Sequence, residues 1–396
     1  LRLHSIISES TTQIPLDRFE HLLTPAVIAL NQAAQSAGYQ VRIVGGAVRD
    51  LLLGKNPKDI DMATDAHPQE MIKILDAAGI RHEPTGLQHG TITAILDGEP
   101  IEITTLRIDT NQDGRHADVE FTNDWRKDAE RRDLTFNAMS MEMDGTLHDY
   151  FGGRDDLKNG YARFVGDPDA RMQEDYLRIL RFFRFQGRLN SPTWDSDTMD
   201  AVRRNAAGLK DISGERIWME MEKILANPAT RVDVVKRMNQ VGVLGSIDCP
   251  TNRVSSLRQV VGENAAAALS ALINDMNGID QLRNRWRFSN EVFDVVQFCV
   301  QHRDSPLDEN VAKRMLAEPK IRSEHVFALA ESLGRVDLVQ KLKTWTPPVF
   351  PVSGSDLIAT GLAPGPAMGR QLAQLRNQWE ASGFKLTKDQ LIGELS

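Results

Sequence analysis

The stretch VRIVGGAVRDLLLGKNPKDIDMAT, residues 41–64, constrains the fold more than any other part of the chain. An apolar run of strand character ends on Gly45 and Gly46. A short helical segment carrying Arg49 and Asp50 follows, and the turn-forming NPKD leads into DIDMAT, a second strand. GTITAIL and IEITTLRI add two more strands. PQEMIKILDAAG adds a helix, started by Pro68 with Gln69 and Glu70 behind it and stopped by Gly79. The first third of the chain is therefore expected to be an α/β unit. Within DIDMAT, residues two apart share a face, so Asp59 and Asp61 should present their carboxylates together while Ile60 points into the core.

From about residue 167 the pattern turns helical and stays so. DPDARMQEDYLRILRFFRFQGRL, SDTMDAVRRNAAGLK, SGERIWMEMEKILANP and RVDVVKRMNQVG each space apolar residues by three and four. Between the two regions lies a polar segment rich in both charges, residues 107–133, which reads as a long loop; excursions of that length are usually functional or mobile. With 396 residues the chain has room for two or more cores. Cys249 and Cys299 stand far apart without neighbouring thiols or histidines, which argues against a zinc site or a disulfide framework and for a reducing compartment. No apolar run approaches the roughly 18 residues a membrane helix needs, so no membrane partner is expected. The first residues lack the apolar centre of a secretory signal, and because the chain opens on Leu1 an upstream piece or organellar leader remains compatible. A net charge of −8 means that any nucleic acid must be met by locally concentrated cations.

Paired carboxylates repel unless a cation lies between them, and Mg²⁺ takes few protein oxygens when it also binds substrate phosphates. An isolated Asp-x-Asp is more often a solvated strand end, so the context decides. A side-chain-free backbone at Gly45 and Gly46 lets phosphate oxygens approach, and Arg49 adds a charge-assisted contact. Gly-Gly alone marks many tight turns, and GGAVRD lacks the dinucleotide G-x-G-x-x-G spacing. A phosphate site and a carboxylate pair separated by one helix read as metal-assisted phosphoryl or nucleotidyl transfer. Further on, EDYLRILRFFRF reads as one helix in which Asp175 and Arg178, three apart, share a face and Glu174 lies one turn from Arg178. Arg181 and Arg184 extend a basic edge toward Arg188, and Tyr176, Leu180 and Phe183 form the buried side. Such a pattern is usually a solvated ion-pair face. An Asp acceptor beside an Arg donor also matches cytosine and adenine, which both present an amine next to a ring acceptor. No Ser-His or Cys-His nucleophile arrangement is evident, and His148-Asp149 reads as structural.

GGAVRDLLLGKNPKDIDMAT, ERRDLTFNAM, DYFGGRDDLKNG, RFVGDPDARMQEDYLRILRFFRF and SGERIWMEMEKIL together resemble, in order and spacing from about residue 41 to 226, the class II tRNA nucleotidyltransferases, the CCA-adding enzymes of the DNA polymerase β superfamily. TTLRIDT and GRHADVEFTNDWRKDAERRDLT look most like the mitochondrial and eukaryotic-like branch. The resemblance implies an α+β fold: a polymerase β-like nucleotidyltransferase head of mixed sheet and helices, followed by an all-α neck, body and tail. The expected boundaries are 1–157, 158–218, 219–300 and 301–396. It implies Mg²⁺ on Asp59 and Asp61, the triphosphate on Gly46 and Arg49, and a template role for Asp175 and Arg178 with Glu174 orienting the arginine. Arg181 and Arg184 join the nucleotide site. Glu102 either brings a third carboxylate to the metals or is a solvated strand position. In ERRDLTFNAM, Arg131 and Arg132 bring positive charge to a polyanion, and Asp133 and Asn137 suit ribose hydroxyls; Arg132 corresponds to a nucleotide contact. The plain alternative there is a charged helix start with Asp133 in its first turn.

The implied activity is template-independent addition of CCA to tRNA 3′ ends from CTP and ATP. The 107–133 segment favours complete CCA addition over a CC-adding, A-adding or poly(A)-adding relative. A catalytically silent RNA-binding or chaperone protein is the competing class, and the intact acids and Arg178 count against it. The family's appended phosphohydrolase domain is not indicated. The expected location is cytoplasmic, or mitochondrial if the source is eukaryotic. RQLAQLRNQWEASGFKLTKDQL, near the C-terminus, either meets the tRNA elbow or caps the helical bundle.

Overall fold

The structure is a computed structural model that describes residues 10–57, 59–96, 98–110 and 118–393. The chain divides into two compact units, one built from the chain up to Ile224 with Asp233–Ile247, the other from Leu225–Val232 and the chain from Asp248 onward.

The first unit holds an eight-stranded mixed sheet. Its strands are β1 (Ser10–Gln13), β2 (Val41–Val44), β3 (Asp61–Thr64), β4 (Arg81–Gly86), β5 (Thr91–Leu96) and β6 (Glu99–Thr105), with β9 (Ser140–Met141) and β10 (Thr146–Asp149); β7 (Arg107–Thr110) and β8 (Asp118–Phe121) form a separate hairpin. The sheet order is β1-β10-β9-β2-β3-β6-β5-β4, and β3 with β6 is its parallel pair. Register explains the core. Ile43, Met62, Ile103 and Ile92 lie opposite one another across four strands, and none is more than 1% exposed. Because side chains alternate, the adjoining row of Asp61, Glu102 and Thr93 must face the other way.

Helix α1 (Pro25–Ser36) starts on Thr24, whose hydroxyl accepts from the Val27 amide, and buries Val27, Leu30 and Ala34. Helix α2 (Gly46–Leu52) follows β2, and α3 (Pro68–Ala77) follows β3. The latter ends where expected: Gly79 takes φ +66° and the Ile80 amide returns to the Leu75 carbonyl. The strands and helices anticipated in this region are present, whereas α1, β1, β4, β9 and β10 were not anticipated.

Two expectations need correction. The 107–133 segment is not simply a loop: β7 pairs with β8, and α4 (Trp125–Glu130) starts on an Asp124 cap. Its residues 111–117 lie outside the described residues. The other correction concerns the helices after α5 (Gly153–Asn159). EDYLRILRFFRF is not one helix, because α6 (Pro168–Glu174) stops, Asp175 is extended at φ −158° and ψ 105°, and α7 (Leu177–Gln186) begins afresh. The cause is local competition: the Asp175 carboxylate accepts from the Leu177 amide, capping α7 and diverting the backbone from a continuous ladder. Leu180 and Phe183 are buried as expected, but Tyr176 is only half-buried, resting over Gly208. Helices α8 (Ser196–Asn205) and α9 (Gly214–Leu225) complete the part that shapes the site.

The second unit is helical. Arg231 is buried in it at 1% exposure, donating to the carbonyls of Leu225, Val260 and Gly262. Near the C-terminus, Leu375 and Trp379 join Val352, Leu357 and Leu391 in a small core, so the apolar stripe of the RQLAQLRNQWEA helix is spent within this unit. Both cysteines are free and buried. Among the described residues no helix is long and apolar enough to cross a membrane.

Candidate active site

A cleft of about 460 Å³ opens in the first unit between the β2–α2 turn, the start of β3, the segment after α4 and the α6–α7 junction. Gly45 caps α2 with φ +64° and ψ −119°, a conformation that favours glycine, and a Cβ there would sit 3.0 Å from Nη1 of Arg132. The glycine is thus what lets Arg132 approach the backbone. Gly46 and Arg49 line the same wall. Arg49 is buried, donating from Nε to Asp50 at 2.8 Å and from Nη1 to the Asn137 side-chain oxygen at 2.9 Å.

That bond belongs to a chain. The Asn137 amide nitrogen donates to Asp133 at 3.0 Å, and Asp133 accepts from Arg181 Nε at 2.7 Å and from the Leu134 amide. Burial alone would raise the Asp133 pKa; the Arg181 charge and these hydrogen bonds outweigh it and hold the carboxyl below its ordinary value. Arg132 donates to the Asn137 carbonyl and to Asp128, which also takes Arg131 at 2.9 Å. Asp128, 4% exposed, therefore orders both arginines of ERRD from behind, with their charges keeping its pKa low against a burial effect that would raise it. Phe185 lies under three guanidiniums, those of Arg184, Arg49 and Arg181, at 4.2, 4.8 and 5.5 Å. Those of Arg49 and Arg181 line the cleft.

At the acidic end the arrangement differs from the expectation of two strand residues side by side. β3 begins at Asp61; Asp59 lies in the bend before it, exposed, and Ile60 is half-buried rather than a core residue. Asp61 lines the cleft and Asp59 does not. Desolvation, with a further push from the Asp59 charge, raises the Asp61 pKa although Arg132 opposes it. Glu102 is exposed and stands directly opposite Asp61 in the parallel β3–β6 register, on the same face. Among the described residues no three His, Cys, Asp or Glu side chains gather into a ready-made metal cage. A carboxyl with a raised pKa beside a second acid is nonetheless the chemistry that a hard divalent cation relieves, and such an ion can complete its shell with substrate oxygens.

The end of the cleft at the α6–α7 junction holds Asp175 and Arg178, both lining it, with side chains that engage other residues rather than each other. The second carboxylate oxygen of Asp175 accepts from Arg216 of α9 at 2.7 Å. Arg178 donates to Glu174 and to the Arg171 carbonyl. Arg184 does not line the cleft: it is buried and ion-paired at 3.0 Å with Glu220 of α9. Arg188 is likewise outside the lining. His148 meets Glu142 at 2.7 Å, and Asp149 caps the following turn by accepting from the amides of Phe151, Gly153 and Arg154. Sequence reasoning assigned no role to Arg216 or Asp109, two further cleft residues. Nothing in local periodicity marks Arg216, because its partner is 41 positions away.

The chain matches two family models, described as "Poly A polymerase head domain" over residues 41–163 and "Probable RNA and SrmB- binding site of polymerase A" over residues 193–247. It is 41% identical to the CCA tRNA nucleotidyltransferase 1, mitochondrial, of Danio rerio, covering 98% of this chain and 94% of that one. The corresponding Homo sapiens protein is 40% identical, with 96% and 92% covered. Among solved structures, the Bacillus stearothermophilus CCA-adding enzyme in complex with CTP superposes with a TM-score of 0.71 at 26% identity, covering 92% of this chain and 93% of that one.

Proposed function

Because this chain belongs to the CCA tRNA nucleotidyltransferase family, we propose that its cleft transfers nucleotidyl groups from CTP and then ATP to the 3′ end of tRNA, without a nucleic-acid template, and stops at C-C-A. The observation that carries the reading is the cleft itself: the acidic edge at Asp61, a row of arginines, and Asp175 with Arg178, each held by a different partner rather than by the other, converge on one volume.

Each part has a task. The triphosphate lies against the bare backbone of Gly45 and Gly46, with Arg49 and Arg132 donating to its oxygens. Asp133 and Asn137 hold Arg49 and Arg181 in place and offer the ribose its polar partners. Asp175 retains lone pairs toward the cleft and accepts from the exocyclic amine of cytosine or adenine, while Arg178 donates to the adjacent ring acceptor. Uracil and guanine present the reverse pattern there, an acceptor facing Asp175 and a donor facing Arg178, and are repelled. Asp59 and Asp61 would hold Mg²⁺, with Glu102 beside them. When bound, that ion supplies charge neutralisation at the α-phosphate and a lowered pKa for the attacking 3′-hydroxyl. The chain's own contribution is to hold hydroxyl, phosphate and base in line. The head (1–157) and neck (158–218) would carry this chemistry, and the body (219–300) and tail (301–396) would add contacts to tRNA. The relatives from Danio rerio and Homo sapiens are named as mitochondrial, and the same compartment is proposed here if the source is eukaryotic.

The test is incubation with a tRNA transcript ending at the discriminator base, CTP, ATP and Mg²⁺, followed by sequencing of the 3′ ends, with Asp61→Ala in parallel. The expected product is C-C-A and then arrest, with the variant inactive. Arrest at C-C or a run of A would reassign the chain to a sibling activity, and no addition at all would favour an RNA-binding role.

A further inference from the structure

We propose that Arg171, which does not line the cleft, is the positioning residue that ties the triphosphate clamp to the base selector and thereby sets nucleotide choice; this rests on the reading above.

Arg171 occupies the last turn of α6 and makes contacts in two directions. Its Nη1 donates to both carboxylate oxygens of Glu174, at 2.8 and 2.7 Å. Its Nη2 donates at 2.7 Å to the main-chain carbonyl of Arg132, 39 positions away. Its own carbonyl then accepts from Arg178 Nη1 at 3.0 Å. One residue thus holds the backbone that carries Arg132 and both groups that aim Arg178. The guanidinium is nearly buried, and burial, with the Arg178 charge, pulls its pKa down. A cation held there at such a disadvantage has to be stabilised by what it binds.

The charge count explains how it acts. Two guanidiniums share the single carboxylate of Glu174. With Arg171 drawing on both oxygens, Glu174 can orient Arg178 without neutralising it, and Arg178 keeps donors for a base edge. Without Arg171, Glu174 is free to pair fully with Arg178, and the link to the Arg132 carbonyl is lost as well. The phosphate end and the base end of the cleft then no longer share a fixed reference. A lysine cannot substitute, since a single ammonium does not present the planar fork that reaches Glu174 and a carbonyl together.

The experiment compares the full chain with Arg171→Lys, Arg171→Met and Glu174→Gln. The readouts are equilibrium titration with CTP and with UTP in the presence of Mg²⁺, single-nucleotide incorporation on tRNA, and thermal unfolding. The expected result is that the preference for CTP over UTP falls about tenfold or more in Arg171→Lys and Arg171→Met, the factor that follows loss of one charge-assisted hydrogen bond. Glu174→Gln should shift it in the same direction. Inorganic tripolyphosphate should inhibit parent and variants alike. A uniform loss for both nucleotides that tracks a fall in Tm would show a merely structural role and overturn the proposal, as would an unchanged preference. Should Arg171→Met fail to fold, Arg171→Lys and Glu174→Gln still decide. An unmodified protein that binds CTP selectively but adds nothing to tRNA would refute the proposed reaction while leaving this inference to stand or fall on the titrations.

Discussion

Replacing Glu220 by leucine removes the partner of Arg184 while keeping the volume filled. Both side chains are below one-tenth exposed, and they meet at 3.0 Å. The Arg184 pKa is lowered to about 10, first by burial, with Glu220 opposing; the shift corresponds to roughly 3 kcal/mol against the charged form that Glu220 does not offset. The sign follows directly: below pH 10 the folded chain carries a charge it would rather shed, and the penalty eases only as pH rises through that value. Stripping away Glu220 leaves the guanidinium without its main counter-charge, which costs about 3–5 kcal/mol. For a unit of this size, that lowers Tm by roughly 6–20 °C. The double variant Arg184→Met/Glu220→Leu should instead return to within about 1 kcal/mol of the parent or exceed it, because an apolar pair avoids the desolvation of both ions. Urea unfolding, with hydrogen exchange of the α7 and α9 amides to assign the effect to this unit, measures all three. A single variant costing under about 1 kcal/mol, or a double variant as unstable as the single, would refute the reasoning.

Asp61→Asn should abolish nucleotide addition yet raise the Tm of the metal-free protein at pH 7. The parent's raised carboxyl pKa marks a charge disfavoured in the fold, and the gain should vanish as pH falls below the ordinary carboxylate range, where Asp61 is neutral too. A lower Tm for the variant at pH 7 would contradict this. Gly45→Ala forces a side chain into a positive-φ position and toward Arg132, with about 1–3 kcal/mol of strain; the KM for CTP should rise, and a fully active, equally stable variant would count against the clamp. Cys249 and Cys299 should resist an aromatic disulfide reagent at pH 8 in the native protein and yield two equivalents after unfolding, because burial pushes both thiols up to about 12. Rapid native labelling of either would show that the second unit's core opens readily.

Helices and strands bounded by their own punctuation were legible. Pro68 and Gly79 bracket α3 as read, and the glycine pair sits at the β2–α2 turn. The short pairings β1–β10 and β10–β9 were not, since a two- to four-residue strand carries almost no periodic signal and gains its identity from a distant partner. A different limit, local rather than distant, produced the mistaken continuous helix at Asp175. Spacing treats every side chain as pointing outward, whereas this carboxylate turned back to cap the next helix.

The sequence by itself determined which chemical groups are present and the local frame that holds them: Gly45 where only glycine fits, alternation that turns Asp61 away from the apolar row, and the Asp-Arg set around the α6–α7 junction. These follow from dihedral preference and side-chain period, which act within a few residues. The tertiary structure alone decided the partners. Arg216 reaches Asp175, Arg171 reaches the Arg132 carbonyl, Glu220 neutralises Arg184, and Glu102 comes to lie beside Asp61 only because β3 and β6 run parallel in register. Burial is the physical reason. A charge withdrawn from water must find its counterpart wherever the packed chain places one, and no local rule in the sequence names that place.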